Sequence, residues 1–248
     1  MELPRLYVNG FPKSGLHLAE LMVSSLYKPA NDHLWFGTNA WTVDKVNIDK
    51  LAVLATIDKG QYMKGHSGHS AEIEKMLIGL QVGMVFIHRD LRDVVVSQAY
   101  HIMSDNADLK HPARELYPHD LQGIMQAVIL GVGDNDNIFV RWQNFKEWID
   151  RPWVFDVRYE DLLHKPHRVA KKFLTWLISF ELFHEGRDTV EIDRGAFFQM
   201  VEGIVQATRR TDTVTYRKGK TGQYKREFSR DTAALFETMA QKHGETCQ

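Results

Sequence analysis

Cysteine is the scarcest residue type in this 248-residue sequence, which has a single copy at Cys247. One thiol cannot form an intramolecular disulfide, and it cannot build a cluster of thiolate ligands around a metal. The first residues also lack the basic stretch and the long apolar stretch of a secretory signal. These absences predict a protein of a reducing compartment, the cytoplasm.

Long apolar runs and an excess of charge of either sign are missing as well. No apolar run reaches the roughly 18 residues that a membrane-spanning helix needs. The 31 Lys and Arg residues nearly balance the 32 Asp and Glu residues, so no overall field favours nucleic acid or an anionic membrane. We therefore expect no nucleic acid and no membrane as partner, and any anion site must be local.

Glycine and proline, with 17 and 7 copies, are too few for a fibrous or low-complexity chain. A compact chain of this length buries roughly 70–75% of the surface that its unfolded form exposes, which is enough for one large core. The sequence contains no repeat and no linker rich in Gly, Ser or Pro. We therefore expect a single domain, residues 1–248.

Strands and helices are expected to alternate along the chain. Short runs of β-prone residues predict strands at 5–8, 60–64, 82–87 and 153–157. Apolar residues at helical spacing predict helices after the first strand, with Leu18, Leu21 and Met22 on the buried face, and at 91–103, 119–132 and 167–178. Residues 104–118 are polar and contain proline, which predicts a surface loop. The expected fold class is α/β, with a mostly parallel central sheet flanked by helices.

A glycine-containing loop, Gly-Phe-Pro-Lys-Ser-Gly at 10–15, follows the first predicted strand. Such a loop at the start of a helix offers backbone N–H groups and the positive helix end to an anion. It is not a Walker A motif, because Leu16 and His17 stand where that motif has Lys and Ser or Thr. Its lysine, Lys13, lies inside the loop instead. An anion site and a tight turn with a solvated lysine are both open at this point.

Two further segments supply cations. Arg89 follows the strand at 82–87, and Ser97 lies about two helical turns later, so that both can face a phosphate. An ordinary helix start capped by Asp90 or Asp93 is the alternative. The segment 208–230 carries eight Lys and Arg residues against two acidic residues. It can wrap an anion or form a solvated basic surface.

Four segments, in their order and spacing, resemble the cytosolic-type sulfotransferase family. They are Phe-Pro-Lys-Ser-Gly at 11–15, Arg-Asp-Leu-Arg-Asp-Val-Val-Val-Ser at 89–97, Arg-Tyr-Glu-Asp-Leu at 158–162 and Arg-Lys-Gly-x-x-Gly-x-Tyr-Lys at 217–225. The resemblance spans nearly the whole chain and implies a P-loop-like nucleotide-binding fold. It also implies an enzyme that needs no metal and moves a sulfuryl group from 3′-phosphoadenosine 5′-phosphosulfate (PAPS) to a hydroxyl or amine. A small alcohol or phenol is the expected acceptor.

The resemblance assigns roles to individual residues. The loop that cradles the 5′-phosphosulfate in the family matches Lys13, Ser14, Gly15, Leu16 and His17. Within it, Lys13 matches the residue that stabilises the leaving bridging oxygen. The contacts to the 3′-phosphate match Arg89, Ser97, Arg217, Lys218 and Gly219. Tyr159 matches a residue close to the adenine, and Phe197 resembles the phenylalanine that stacks on it.

The resemblance also makes His66 the expected general base. The family has its base in a Lys-Thr-His context after a strand, and this sequence has Lys64-Gly65-His66 there. A neutral imidazole, with an ordinary pKa of about 6.5, can take the proton of an acceptor hydroxyl. His69 is the competing candidate. A metal site built from histidines is not expected, because no carboxylate lies at ligand spacing.

The sequence departs from the family pattern after the loop glycine, where Leu16, His17 and Leu18 replace the common Thr-Thr-Trp. The departure predicts weaker cofactor binding, with His17 able to donate in place of a threonine. The dimer pattern of many relatives is missing after Lys225, so the sequence assigns no oligomeric state.

Two other functions remain as alternatives. A P-loop nucleotide kinase or hydrolase would need Mg²⁺ ligands and a lysine after the second loop glycine. A non-catalytic binder of nucleotides or sulfated polymers could use the basic segment 208–230. That function would leave Lys13, His66 and Arg89 without a joint purpose.

Overall fold

The computed structural model describes residues 3–30, 35–37, 52–104, 111–209 and 219–245. Within these ranges the sheet has six strands: β1 (Arg5–Gly10), β2 (Lys28–Pro29), β3 (Trp35–Gly37), β4 (Gln61–His66), β5 (Val82–His88) and β6 (Val154–Arg158). Their order is β2-β4-β1-β5-β6, with β3 also paired to β4, and every pairing is parallel. The α/β class with a parallel sheet is confirmed.

Helices cover both faces of this sheet. In the described ranges they are α1 (Leu16–Ser24), α2 (Ala71–Gly79), α3 (Leu91–Met103), α4 (Pro112–Leu116), α5 (Leu121–Leu130), α6 (Ile138–Lys146), α7 (Tyr159–His164), α8 (Pro166–Glu185), α9 (Arg194–Thr208), α10 (Tyr224–Glu227) and α11 (Arg230–Lys242), with one 3₁₀ helix (Ala52–Thr56). None of these helices is long and apolar enough to cross a bilayer.

The two faces of β5 show why its sequence is continuously apolar. Met84 and Phe86 pack into the core beneath α2, α3, α5, α6 and α11, whereas Val85 and Ile87 pack into the core beneath α1, α7, α8 and α9. Successive side chains of a strand point to opposite faces, so a central strand covered by helices on both sides needs apolar residues at every position. The run at 82–87 was therefore identified correctly from the sequence alone.

Several predicted elements need correction. Strand β4 continues through His66, where a turn was expected, because it stays paired with β1 as far as Gly65 and with β3 at His66. The predicted surface loop at 104–118 contains α4, which has Pro112 at its first turn and is capped by His111. The helix predicted at 167–178 runs from Pro166 to Glu185. The elements that were not predicted are helices α2, α6, α7, α9, α10 and α11 and strands β2 and β3.

The buried face of α1 was predicted only in part, because Met22 is buried as expected but its companions differ. Its buried residues are Leu16, Ala19, Met22 and Val23, whereas Leu18 and Leu21 are only partly buried. The helix begins at Leu16, directly after Gly15, and its orientation at that point decides which face meets the sheet. Helical spacing alone does not reveal that orientation.

The parallel arrangement collects the candidate site segments at one edge. β1, β4, β5 and β6 all end there, so the segments after Gly10, His66, His88 and Arg158 are neighbours. Ligands of open α/β sheets bind outside the carboxyl ends of the strands.

Candidate active site

The loop between β1 and α1 is a tight turn with two left-handed residues. Lys13 has a φ of 69° and Gly15 a φ of 98°. Ser14 N donates to Phe11 O at 3.0 Å. A β-carbon at Gly15 would collide with the ring of Tyr159, so this position requires glycine for space as well as for φ. The start of α1 has no side-chain cap, which leaves its N-terminal end available to an anion.

Two polar side chains of this loop are withdrawn from solvent, Ser14 fully and Lys13 in part. Ser14 is 0% exposed, and its Oγ has no hydrogen-bond partner among the described residues. Burial lowers the pKa of Lys13 to about 8. A bound anion would give the Ser14 hydroxyl an acceptor and favour the charged form of Lys13. The buried Ser14 hydroxyl and the lowered pKa of Lys13 are compatible with an anion site in this loop.

His66, at the end of β4, contacts the start of the same loop. Its Nδ1 donates to the carbonyl of Gly10 at 2.6 Å, which leaves Nε2 as the unprotonated nitrogen of the neutral ring. Burial lowers the pKa of His66 to about 4, the bond to Gly10 opposes that shift, and the charges of Lys13 and His17 add to it. At neutral pH the ring is therefore uncharged, and its Nε2 carries a lone pair.

His69, the competing histidine, has different neighbours. Its Nε2 donates to Glu74 Oε2 at 2.8 Å, and its ring packs edge-on against Trp148. Glu74 is also paired with Arg151 at 3.2 Å. His69 is thus held by a carboxylate of α2, whereas His66 is held by the loop that carries Lys13.

Asn9, a residue that sequence reasoning missed, connects His66 to the loop. Its side chain is 0% exposed, and its Oδ1 accepts from Gly10 N and from Ser67 N, both at 2.9 Å. Its Nδ2 donates to Ser67 O at 2.9 Å. One amide thus fixes the backbone on both sides of the His66–Gly10 bond. Asn9 directly follows the predicted strand at 5–8, and asparagine is depleted in strands, so no pattern in the sequence indicated this role.

Arg89 lies at the start of the next connection, after β5. The residue is 8% exposed, and its Cζ lies 4.3 Å from the centroid of the Tyr159 ring. Its Nη2 donates to Lys220 O at 2.7 Å and to Asp93 Oδ2 at 3.2 Å. Its Nε is buried with no partner in the described part of the chain. Ser97 follows eight residues later on α3 and is partly buried.

The helix-start alternative for this connection holds only for Asp90. The Asp90 side chain accepts from Arg92 N at 2.9 Å and so caps α3. Asp93 does not act as a cap. It accepts backbone N–H groups of Gly222 and Tyr224, 129 and 131 residues away in sequence.

Glu20 forms a polar cluster on α1 beside the loop. It accepts from His17 Nδ1 at 3.2 Å, from Lys64 Nζ at 2.5 Å and from Tyr62 Oη at 3.2 Å. Burial raises the pKa of Glu20, but the bonds from His17 and Lys64 outweigh it and bring the pKa to about 2. The carboxylate therefore stays charged at neutral pH and engages the His17 side chain, for which the sequence predicted a role in the phosphosulfate cradle.

The remaining predicted site residues differ in how far the structure describes them. The side chain of Leu16 packs in the core, so only its backbone can reach a ligand. Phe197 lies on α9 and packs at the edge of the core that includes α1. Gly219 has a φ of 54°. Arg217 and Lys218 lie outside the described residues.

Within the described ranges, no group of three His, Cys, Asp or Glu residues is arranged to hold a metal ion.

Comparison with known proteins gives one family and a set of similar structures. A family model described as sulfotransferase domain matches residues 3–247. Mouse sulfotransferase SULT7A1 complexed with 3′,5′-adenosine bisphosphate (PAP) is 15% identical, with a TM-score of 0.65 and coverage of 98% of this chain and 85% of that chain. No match is found among curated proteins.

Two structures of retinol dehydratase are also similar. One, in complex with androsterone and inactive cofactor PAP, is 14% identical, with a TM-score of 0.58 and coverage of 96% of this chain and 80% of that chain. The other, in complex with retinol and PAP, is 14% identical, with a TM-score of 0.59 and coverage of 98% and 82%. At these identities, the structures establish a shared fold.

Proposed function

The chain belongs to the sulfotransferase family, and from this premise we propose that it transfers a sulfuryl group from PAPS to the hydroxyl or amine of a small acceptor. One observation carries the proposal: His66 bonds directly to Gly10, at the start of the loop that holds Lys13 and Ser14. A proton acceptor and an anion site thus meet at one edge of the sheet. We treat residues 1–248 as one catalytic domain, and the family match over 3–247 supports this.

The loop fits the sulfuryl donor. When bound, PAPS would supply an activated sulfuryl group. Ser14 brings a buried hydroxyl with no other partner in the described ranges, and Lys13 brings a cation that can offset charge developing on the leaving oxygen. The N-terminal end of α1 adds its partial positive charge. Leu16 contributes through its backbone and His17 through the side chain that Glu20 engages.

His66 takes the proton of the acceptor in this proposal. Its Nδ1 is committed to Gly10 O, so its Nε2 is the nitrogen that can accept a proton. Its low pKa keeps the ring neutral throughout the physiological range. Deprotonation of the acceptor oxygen as it attacks sulfur would then place the positive charge on the imidazole.

The 3′-phosphate and adenine contacts extend the same proposal. Arg89 and Ser97 would contact the 3′-phosphate together with Arg217, Lys218 and Gly219 of the basic segment 208–230. The buried Arg89 Nε, which has no partner in the described ranges, supports this role. Tyr159 and Phe197 would border the adenine.

The proposal also covers the acceptor and the cellular compartment. Retinol dehydratase has been solved with androsterone and with retinol, and this supports a small alcohol or phenol as the acceptor here. The single cysteine supports the cytoplasm as the place of the reaction.

A binding experiment tests the nucleotide part of the proposal. Charge-assisted contacts contribute roughly 1.5–3 kcal/mol each, so PAP is expected to bind at least about tenfold more tightly than adenosine 5′-monophosphate (AMP). Isothermal titration calorimetry at one salt concentration measures both affinities. Equal affinities would contradict a specific site for the 3′-phosphate.

An activity experiment tests the reaction itself. The purified protein is incubated with PAPS, a panel of phenols and aliphatic alcohols, and EDTA, and sulfated products are measured by mass spectrometry. We expect transfer to persist in EDTA, because Lys13 and the loop N–H groups supply the charge stabilisation. Activity that disappears in EDTA and returns with Mg²⁺ would instead indicate kinase-like chemistry.

A further inference from the structure

One buried carboxylate of α3 binds the segment 219–224, beside a second contact in which Arg92 of α3 lies over the Tyr224 ring. Asp93 is 1% exposed, and its two oxygens accept backbone N–H groups of this segment. Oδ2 accepts from Gly222 N at 2.7 Å, and Oδ1 accepts from Tyr224 N at 3.2 Å. The turn at Gly222, which has a φ of 68°, thus points two N–H donors at an anion that belongs to the protein.

The same carboxylate also holds Arg89. Arg89 Nη2 donates to Asp93 Oδ2 at 3.2 Å and to Lys220 O at 2.7 Å, so the arginine is tied both to α3 and to the segment 219–224. On another side its guanidinium rests on the Tyr159 ring, which in turn packs against Gly15. These contacts fix the direction of the guanidinium and leave its buried Nε without a partner in the described ranges.

We propose that Asp93 is a positioning residue for recognition of the 3′-phosphate of the nucleotide. It holds Arg89 and the segment 219–224 in one arrangement, so that the Arg89 guanidinium keeps the position in which its Nε can donate to that phosphate. The inference rests on the proposed function, because it takes Arg89 as a phosphate ligand. Asp93 itself would not touch the phosphate, because two anions repel each other.

A carboxylate suits this role better than an amide does. Asp93 receives only donors: one guanidinium nitrogen and two backbone N–H groups. An asparagine would present an amino group to at least one of them, and that donor would be left buried without an acceptor. The carboxylate also offsets the cost of burying the Arg89 charge. Capping of α3 does not explain Asp93, because Asp90 already caps that helix.

The test compares two nucleotides that differ by the 3′-phosphate. Dissociation constants of PAP and AMP are measured by calorimetry for the full-length wild type and for Asp93→Asn. We expect the PAP affinity of Asp93→Asn to fall at least about tenfold and its AMP affinity to change less than about threefold. With PAPS as donor, its KM should rise while kcat at saturation stays within about threefold.

Asp120→Asn is the control. It removes the same charge from the start of α5, which packs on α3, and asparagine caps a helix about as well as aspartate. Its ratio of PAP affinity to AMP affinity should equal that of the wild type. An equal loss of ratio in Asp120→Asn and Asp93→Asn would overturn the inference, because loss of a charge alone would then explain the effect.

Two further outcomes separate the inference from the proposed function. Equal binding of PAP and AMP by the wild type would overturn both. Wild-type discrimination that persists in Asp93→Asn, or an equal weakening of both nucleotides in that variant, would overturn only the positioning role. If Asp93→Asn does not fold, as judged by circular dichroism, Asp93→Glu keeps the charge and displaces it by one methylene. We expect a reduced ratio in that variant, and an unchanged ratio would overturn the inference.

Discussion

At the scale of single residues, His66 at the end of β4 and His69 three residues later have contrasting partners. His66 donates to the loop carbonyl of Gly10, whereas His69 donates to Glu74. Removal of a general base costs about 10²–10⁴ in rate. We therefore expect His66→Ala to lose about that factor in turnover while it still binds PAP.

The matched control for this prediction is His69→Ala, which should keep turnover within a few-fold of the wild type. Initial rates with PAPS and calorimetry with PAP give the two measurements. A nearly inactive His69→Ala enzyme that still binds PAP, beside an active His66→Ala enzyme, would show that the base is His69.

The buried amine of Lys13 predicts a pH dependence of nucleotide binding. Burial lowers its pKa to about 8, so the cation is present at pH 7 and is lost as the pH rises through about 8. A bound anion favours the charged form, and PAP affinity should therefore fall between pH 7 and 9.5, by up to about tenfold per pH unit. The imidazoles of His66 and His101, with pKa values of about 4, stay neutral over this range.

Lys13→Arg is the control for this prediction, because a guanidinium keeps its charge up to pH 9.5. Its PAP affinity, measured by calorimetry at the same pH values, should change much less than that of the wild type. If both proteins show the same pH profile, Lys13 is not the titrating group.

Among the secondary-structure elements, the ends of β1 and β4 are joined by Asn9. Asn9→Ala would leave the buried N–H groups of Gly10 and Ser67 without their acceptor, and each such loss costs about 1–3 kcal/mol. We expect the free energy of unfolding, measured in urea, to fall by at least about 2 kcal/mol. Ser67→Ala removes only a hydroxyl contact with Tyr7 and should cost about 1 kcal/mol. Equal losses in the two variants would contradict this role of the Asn9 amide.

In the molecule as a whole, four imidazoles predict how stability changes with pH. They belong to His66, His88, His101 and His111. Burial is the main cause that lowers the pKa of each of these imidazoles to about 4. In the unfolded chain their pKa is about 6.5. Between pH 6.5 and 4 the unfolded chain therefore binds protons that the folded chain does not, and stability falls as the pH falls. Above pH 6.5 this contribution is complete.

Urea unfolding between pH 7.5 and 4.5 checks this prediction. His88→Gln should reduce the slope, because one fewer proton is bound on unfolding. Gln241→Ala is the control, since it removes an exposed side chain that carries no titratable group and should leave the slope unchanged. Stability that is constant or rises from pH 6.5 to 4.5 would contradict the prediction.

Local signals in the sequence were enough for the class of the fold and for the glycine loop. The run at 82–87 is apolar at every position, and helix α3 has the bounds that were predicted for it. The glycine loop at 10–15 was predicted from its glycines and proline between a β-prone run and a helical pattern, and Gly15 takes a left-handed φ that glycine adopts readily. These features depend on residues that are close together in the chain.

Only the tertiary structure decided which polar groups meet and what their protonation is. Asn9 binds Ser67 across 58 residues, and Asp93 binds Gly222 across 129 residues, so no spacing in the sequence indicated either contact. Likewise, the burial that lowers the pKa values of Lys13 and His66 comes from elements packed around them from elsewhere in the chain. Burial and hydrogen bonds depend on which residues lie close together in space. In a parallel sheet, neighbouring strands are joined by long crossover connections, so residues that meet in space are far apart in the sequence.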